Sequence, residues 1–208
     1  MFSFVRRSCL GGCLGCLLPL LAVAAILLYA VHQMLAAPHF APVKPVGPAA
    51  VQLAVASGVE SALAAQQPVA LIQLTDSEAT SLLQESLPGY VGLGNLQVHS
   101  VGGQIVVSGE TAILGHEIIV SGPVELRSGG GTVVSMSFTG LSIGQLGLPK
   151  LIPELLTRGL SPQFNLALVA EGREVSFACA AAPPGLVVVG VYYGSSHPPA
   201  ASYCRGTR

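Results

Sequence analysis

Apolar residues fill the N-terminal part of the chain without interruption. Residues 9–31 form a run of 23 residues without a charge, and at about 1.5 Å per residue such a helix crosses a hydrocarbon layer about 30 Å thick. Arg6 and Arg7 precede the run, and no Lys or Arg follows it until Lys44. The positive-inside rule therefore predicts a cytoplasmic N-terminus over residues 1–8, a transmembrane helix over 9–31 and an extracytoplasmic remainder. A single-pass location in the cell membrane follows.

A cleaved signal peptide is the competing interpretation of the same run, and the short basic start of the chain suits it. The apolar run is longer than the 7–15 residues of an ordinary signal-peptide core. The sequence Met34-Leu35-Ala36-Ala37 is also a poor cleavage site. Both points favour an anchor that stays attached.

Beyond the run, the pattern divides the chain into a stalk, a folded domain and a tail. Pro38, Pro42, Pro45 and Pro48 forbid a helix and predict an extended Pro-rich stalk over residues 32–48. An exported domain is expected over 49–194. Residues 195–208 show no periodicity and are predicted to be a flexible tail.

Within the domain, helical spacing alternates with strand-like alternation. Apolar residues three or four apart predict a helix from Pro48, with Gly58 as its weak point. Thr75 and Glu78 form a capping box that starts a second helix, and a third is predicted near residues 151–159. Between and after the second and third helices, apolar and polar residues alternate as in antiparallel strands, and the phase breaks at Gly140 as in a β-bulge. The predicted fold is α+β: an N-terminal transmembrane helix, then a curved antiparallel sheet packed on two or three helices.

Composition removes several function classes. Apolar residues make up 51% of the chain and charged residues 9%, with nine Lys and Arg against ten Asp and Glu, so the protein is neither disordered nor a natural partner of nucleic acid. The segment 140–144 matches the nucleophile-elbow pattern G-x-S-x-G, but no helix is predicted directly after Ser142, and the triad's histidine would have to be His197 in the tail. His116 has no second histidine four residues on. We expect neither an enzyme, nor a metal site, nor a cofactor.

The five cysteines divide by compartment. Cys9, Cys13 and Cys16 have the spacing of some iron–sulfur ligands, but thiolates in lipid without a surrounding barrel cannot hold a cluster. Gly11 and Gly15 in the same stretch have the spacing that lets two membrane helices associate. Cys179 and Cys204 share the extracytoplasmic side, where they either form a disulfide or stay separate, with Cys179 as a small buried residue.

Four short stretches carry a family resemblance: LTDSEATSLL (74–83), LQV (96–98), GQIVVSG (103–109) and IGQLGLP (143–149). Together they resemble bacterial single-pass proteins whose exported domain is related to the tubular lipid-binding (TULIP-like) superfamily, over roughly residues 50–180. The resemblance implies a curved antiparallel sheet wrapped on a long helix, with an apolar groove that holds acyl chains and no catalytic residues. The short length and the tail depart from a full two-module tube.

Some apolar residues fall outside the alternating sets that form the predicted core. A sheet covered on one side only would expose them as an apolar groove; covering helices on both faces are the alternative. The candidate groove residues are Ile113, Ile119, Val133, Leu141 and Ile143. The sequence thus predicts a membrane-anchored domain that binds membrane lipid or another apolar ligand noncovalently, or else an envelope interaction module without a ligand.

Overall fold

The computed structural model describes residues 5–36, 38, 40–87, 93–113, 115–130, 133–149, 163–165, 175–193 and 204. Its helices are α1 (Val5–Leu35), α2 (Pro48–Ala64) and α3 (Asp76–Ser86). Its strands are β1 (Val69–Thr75), β2 (Gly94–Val101), β3 (Gln104–Ile113), β4 (His116–Gly130), β5 (Val133–Phe138), β6 (Ser142–Ile143), β7 (Leu146–Gly147), β8 (Gln163–Asn165), β9 (Val175–Ala181) and β10 (Leu186–Tyr193). The predicted α+β class is confirmed. The predicted third helix at 151–159 lies outside the described residues.

Helix α1 is the long apolar helix that the sequence predicts. Its window Leu18–Leu35 has a mean hydropathy of 2.0, and none of it is buried inside the protein. It is long and apolar enough to cross a membrane, a property that N-terminal signal sequences share. The helix continues to Leu35, so residues 32–35 of the predicted stalk are helical. Gly11 and Gly15 lie on α1, but their surroundings fall outside the described part, and their role in a dimer stays a prediction.

Helices α2 and α3 begin where the sequence signals them. Pro48 occupies the first turn of α2, where its missing N–H costs nothing. The capping box of α3 is formed: Thr75 Oγ1 accepts a hydrogen bond from the Glu78 backbone N–H at 3.3 Å, and Glu78 Oε2 accepts one from the Thr75 backbone N–H at 2.7 Å. The two helices therefore start at fixed points beside β1.

The described strands form two antiparallel sheets. The small sheet has three strands in the order β1-β10-β9. The large sheet has seven strands, with the order β2-β3-β4-β5-β8 and the short β6 and β7 attached beside β4. Because β1 and β10 are far apart in sequence, the alternation pattern alone could not separate the two sheets.

The predicted phase break at Gly140 is a one-residue register shift along β4. Val124 pairs with Phe138, but Val120 pairs with Ile143, so one extra residue lies between β5 and β6. Gly122 makes room for this bulge, because a Cβ at that position would meet the carbonyl oxygen of Gly140. The bulge returns Ile143 to the same side of the sheet as Val120.

One apolar cluster joins α2, α3 and the facing sides of both sheets. Its strand members alternate with residues that face away, as expected for sheets with one buried face. Its buried residues are Val55, Ala62, Ala70, Ile72, Leu74, Ala79, Leu83, Leu87, Leu96, Val98, Ile105, Val107, Val124, Met136, Ala182, Val187 and Val191. We call this side of the large sheet its inner face, and the opposite side its outer face.

Cys179 and Cys204 form a disulfide, with their Cα atoms 6.0 Å apart. Gly190 lies beneath it, since a Cβ there would approach the Cys179 Sγ at 2.8 Å and the Cys204 Sγ at 3.2 Å. The tail predicted to be flexible is therefore attached at Cys204, which is buried. In the chain-entropy model, closing a loop of this length stabilises the fold by about 3 kcal/mol.

Candidate ligand-binding site

The Pro-rich segment after α1 lies against the domain. Residues 38 and 40–47, which we call the strap, cross the outer face of the large sheet towards α3. The Val43 backbone N–H donates to Gln97 Oε1 at 2.9 Å, and the Val46 backbone N–H donates to Ser81 Oγ at 2.7 Å. Phe40 stacks on the His99 ring with the ring centroids 4.8 Å apart. The predicted stalk is non-helical over residues 40–47, as its prolines require, but it does not stand free of the domain.

A pocket of about 220 Å³ lies between the strap and the sheet. Strand pairing explains its floor, because Gln97 pairs with Ser108 and Glu110 pairs with Ile119, so these side chains share the outer face. Its lining comprises Pro38, Phe40 and Pro42 from the strap and Asn95, Gln97, His99, Ser108, Gly109, Glu110 and Ile119 from the sheet. Pockets for drug-sized ligands usually measure about 300–1,000 Å³, so this pocket is smaller than a site for a whole drug-sized molecule.

His99 and Ser108 form a buried polar pair at the pocket floor. Their side chains meet at 3.0 Å, between His99 Nε2 and Ser108 Oγ. Burial lowers the pKa of His99 below its ordinary value, and the nearby Asp76 carboxylate opposes that effect only in part. The ring is therefore neutral at neutral pH.

The histidine–serine pair lacks the third member of a catalytic triad. Such a triad needs a carboxylate hydrogen-bonded to the histidine. Asp76 Oδ1 instead accepts from the Ser100 backbone N–H at 3.1 Å and from Ser100 Oγ at 2.7 Å. Among the residues that the structure describes, no carboxylate hydrogen-bonds to His99.

Glu110 is the charged residue in the pocket lining. Its Oε1 accepts a hydrogen bond from Asn95 Nδ2 at 2.8 Å. Asn95 itself has a positive φ of 46°, a conformation that Asn tolerates better than most residues. Among the described lining residues, the pocket thus presents one carboxylate, which accepts from an amide, and neither a Lys nor an Arg.

The pocket lies beside the C-terminal end of α1. The carbonyl of Ile119, a lining residue, accepts from the Gly144 backbone N–H at 2.7 Å. The next residue, Gln145, donates its backbone N–H to the Gln33 carbonyl at 2.9 Å. Gly144 has a φ of 59°, and a Cβ there would meet the carbonyl oxygens of Met34 and Gln33. The β6–β7 turn therefore connects the pocket to the last turn of the apolar helix.

The structure describes the side chains of three of the five predicted groove residues. Ile119 lines the pocket, whereas Ile143 pairs with Val120 and so faces the opposite side of the sheet. Leu141 is half-buried in the bulged segment between β5 and β6. The side chains of Ile113 and Val133 lie outside the described residues. The bulge reverses the strand phase before Ile143, so Ile119 and Ile143 face opposite sides of the sheet. The groove as a whole stays a prediction.

The other sequence candidates lack a site in the described part of the chain. Ser142 lies in β6 and is followed by the turn into β7 rather than by a helix, so the nucleophile-elbow geometry is not formed. No group of three His, Cys, Asp or Glu side chains that would suit a metal ion occurs among the residues searched. The sequence analysis does not identify Phe40, His99 and Ser108 as site residues. The one available signal is Phe40, a lone aromatic residue in the Pro-rich segment.

Comparison with known proteins assigns neither a family nor a function to the chain. No family model matches the chain, and neither a curated protein nor a solved structure does.

Proposed function

We propose that this protein is a single-pass membrane protein whose extracytoplasmic domain binds lipid or another apolar ligand noncovalently in the strap pocket. One observation carries the proposal: the pocket lies within two hydrogen bonds of the last turn of an apolar helix, through Gly144 and Gln145. A ligand segment in the pocket would therefore be next to the lipid layer that the helix crosses. The location in the cell membrane is part of the same proposal.

Contacts at the end of α1 support an uncleaved anchor. Gln145 hydrogen-bonds to Gln33, and Gly144 packs against the backbone at Met34 and Ala36. Cleavage after the sequence Met34-Leu35-Ala36-Ala37 would remove these residues of α1. Cleavage would remove part of the surface on which the β6–β7 turn lies, so the fold favours a helix that remains.

The chemistry of the pocket supports a noncovalent apolar ligand. The apolar lining residues are Pro38, Phe40 and Pro42 on the strap and Ile119 on β4. The strap is held mainly by side chain–backbone hydrogen bonds and one ring stack, so it can shift to admit a chain without breaking a strand ladder. The resemblance to the TULIP-like superfamily points to the same ligand class.

The test measures lipid retained by the full-length protein purified in detergent, using native mass spectrometry. The wild-type protein is expected to retain lipid. Ile119→Phe fills the pocket and is expected to reduce retention by about tenfold, the effect of about 1.4 kcal/mol of lost binding. The control is Val101→Phe, because Val101 is an exposed apolar residue on β2 outside the pocket lining.

Equal retention by Ile119→Phe and Val101→Phe would contradict the strap pocket as the site. Absence of lipid from the wild-type protein would contradict lipid binding altogether and favour the interaction module. The apolar surface available to such a module is the outward side of α2, where Leu53 is 73% exposed and Leu63 is 40% exposed.

A further inference from the structure

We infer that the strap pocket recognises an ammonium group, so that its ligand is an amphiphile with an ammonium-bearing polar end rather than an anionic one. The inference rests on the proposed function and names the ligand chemistry of the same site. Its basis is the carboxylate of Glu110 together with the aromatic ring of Phe40, both of which line the pocket.

The formal charge of the lining is negative. Glu110 supplies it, and one of its oxygens accepts from Asn95 Nδ2. A carboxylate oxygen has room for more than one hydrogen bond, so Glu110 can also accept from an N–H donor of a ligand. An anionic group in the same place would be repelled and would find no Lys or Arg to pair with among the lining residues that the structure describes.

The strap supplies an aromatic ring to the same pocket. Phe40 lines the cavity while one face of its ring is stacked on His99. Aromatic rings attract ammonium groups, including quaternary ones, through the ring quadrupole. An aromatic ring beside a carboxylate is therefore a suitable environment for a cation next to an apolar chain.

The neighbouring polar groups do not change the negative charge that Glu110 gives to the described lining. His99 is buried and paired with Ser108, so it adds no positive charge at neutral pH. The side-chain amide of Gln97 is uncharged, and its oxygen accepts from the Val43 backbone N–H. Lys44 lies on the strap but is exposed and is not a lining residue. The lining thus combines a negative polar end with an apolar wall.

The experiment incubates the full-length protein with mixed detergent micelles that contain equimolar phosphatidylethanolamine and phosphatidylglycerol with the same acyl chains. Both lipids have a phosphate, so the ratio retained by the protein isolates the ammonium group. The wild-type protein is expected to prefer phosphatidylethanolamine by about tenfold, the ratio for a cation–π contact together with one charge pair. Competition with free ethanolamine distinguishes recognition of the amine alone, which would displace the lipid, from recognition of the headgroup with its chain.

Matched variants assign the preference to the pocket. Glu110→Gln keeps the side-chain shape and is expected to bring the ratio close to one, and Phe40→Leu is expected to lower it while keeping an apolar wall. Glu117→Gln is the control, because Glu117 is exposed on β4 and is not a lining residue. A wild-type preference for phosphatidylglycerol, no preference, or a ratio unchanged in Glu110→Gln would overturn the inference while leaving lipid binding intact. Retention of neither lipid would overturn the proposed function as well.

Discussion

At the residue scale, Gly58 shows a conflict between helix propensity and packing. It lies in the middle of α2, where a glycine is less favourable than alanine by about 1 kcal/mol. A Cβ at this position would lie 3.0 Å from the Leu71 carbonyl oxygen and 3.2 Å from the Ile72 Cα. Both are backbone atoms of β1, so they cannot move aside as a flexible side chain would. Gly58, the weak point of the predicted helix, is therefore the position where α2 lies close to β1 of the small sheet.

Gly58→Ala should therefore destabilise the protein although it improves helix propensity. Overpacking costs about 1–3 kcal/mol, so we expect a net loss of about 1 kcal/mol in the free energy of unfolding, measured by urea denaturation of the full chain in detergent. Gly47→Ala is the control, since nothing lies within 4 Å of a Cβ built there. A gain in stability for Gly58→Ala would contradict the packing argument.

His99 is expected to make stability depend on pH. Because burial lowers its pKa in the folded state, the unfolded chain binds the proton more readily, and acid favours unfolding. The contribution of His99 is fully present above its unfolded pKa of about 6.5 and is lost as the pH falls from there through the folded pKa. The measurement is the free energy of unfolding of the wild type minus that of His99→Gln between pH 8 and pH 5. We expect this difference to decline below about pH 6.5, by at most about 1.4 kcal/mol per pH unit; a constant difference would contradict it.

At the scale of elements, α3 protects the free edge of β2. Asp76, Thr80 and Gln84 are spaced by four residues and so share one side of the helix. They bond in turn to backbone groups of β2: the Ser100 N–H, the Val98 N–H and the Leu96 carbonyl. Unpaired edge groups are a template for association with other chains, and covering them is a recognised protection. Here side chains of a helix replace a neighbouring strand.

Replacing Thr80 by Val tests this edge. The exchange keeps the shape of the side chain but removes the hydroxyl that accepts from the Val98 backbone N–H at 2.9 Å, and Thr80 is fully buried. An unsatisfied buried N–H costs about 1–3 kcal/mol, so the free energy of unfolding should fall by that amount. Thr139→Val removes a hydrogen bond at an exposed threonine and should cost less than about 0.5 kcal/mol. Equal effects of the two variants would rule out a special role for the edge contact.

The elements show how far local pattern predicts this fold. The capping box at Thr75, the helix start at Pro48 and the bulge near Gly140 are each fixed by neighbouring residues, and the structure contains all three. The pocket depends on Phe40 meeting His99 across the chain, and no local signal encodes that contact. Prolines specify an extended segment equally well when it is free and when it is docked, which is why the strap was predicted only as a stalk.

At the scale of the whole molecule, α1 and the domain are connected at both ends of the Pro-rich segment. The β6–β7 turn contacts the last turn of α1, and the strap contacts β2 and α3. The position of the domain beside the helix is therefore set by several contacts rather than by a free linker. In a protein that spans the membrane, this arrangement keeps the pocket near the bilayer surface.

Membrane topology is the last expectation, and Leu53→Cys measures it. Leu53 is 73% exposed on α2. In the proposed orientation it lies on the extracytoplasmic side, whereas Cys9, Cys13 and Cys16 lie at the cytoplasmic end of α1. The other two cysteines, Cys179 and Cys204, are paired in the disulfide. A membrane-impermeant maleimide should therefore label Leu53→Cys in right-side-out vesicles, with the wild-type protein as the control for background labelling. Labelling in inverted vesicles alone would reverse the orientation. The mass of the intact labelled chain shows in the same sample whether the N-terminal residues have been removed. We expect the full mass, because a chain that begins after residue 33 would have lost the Gln33 carbonyl that accepts from Gln145 in the β6–β7 turn.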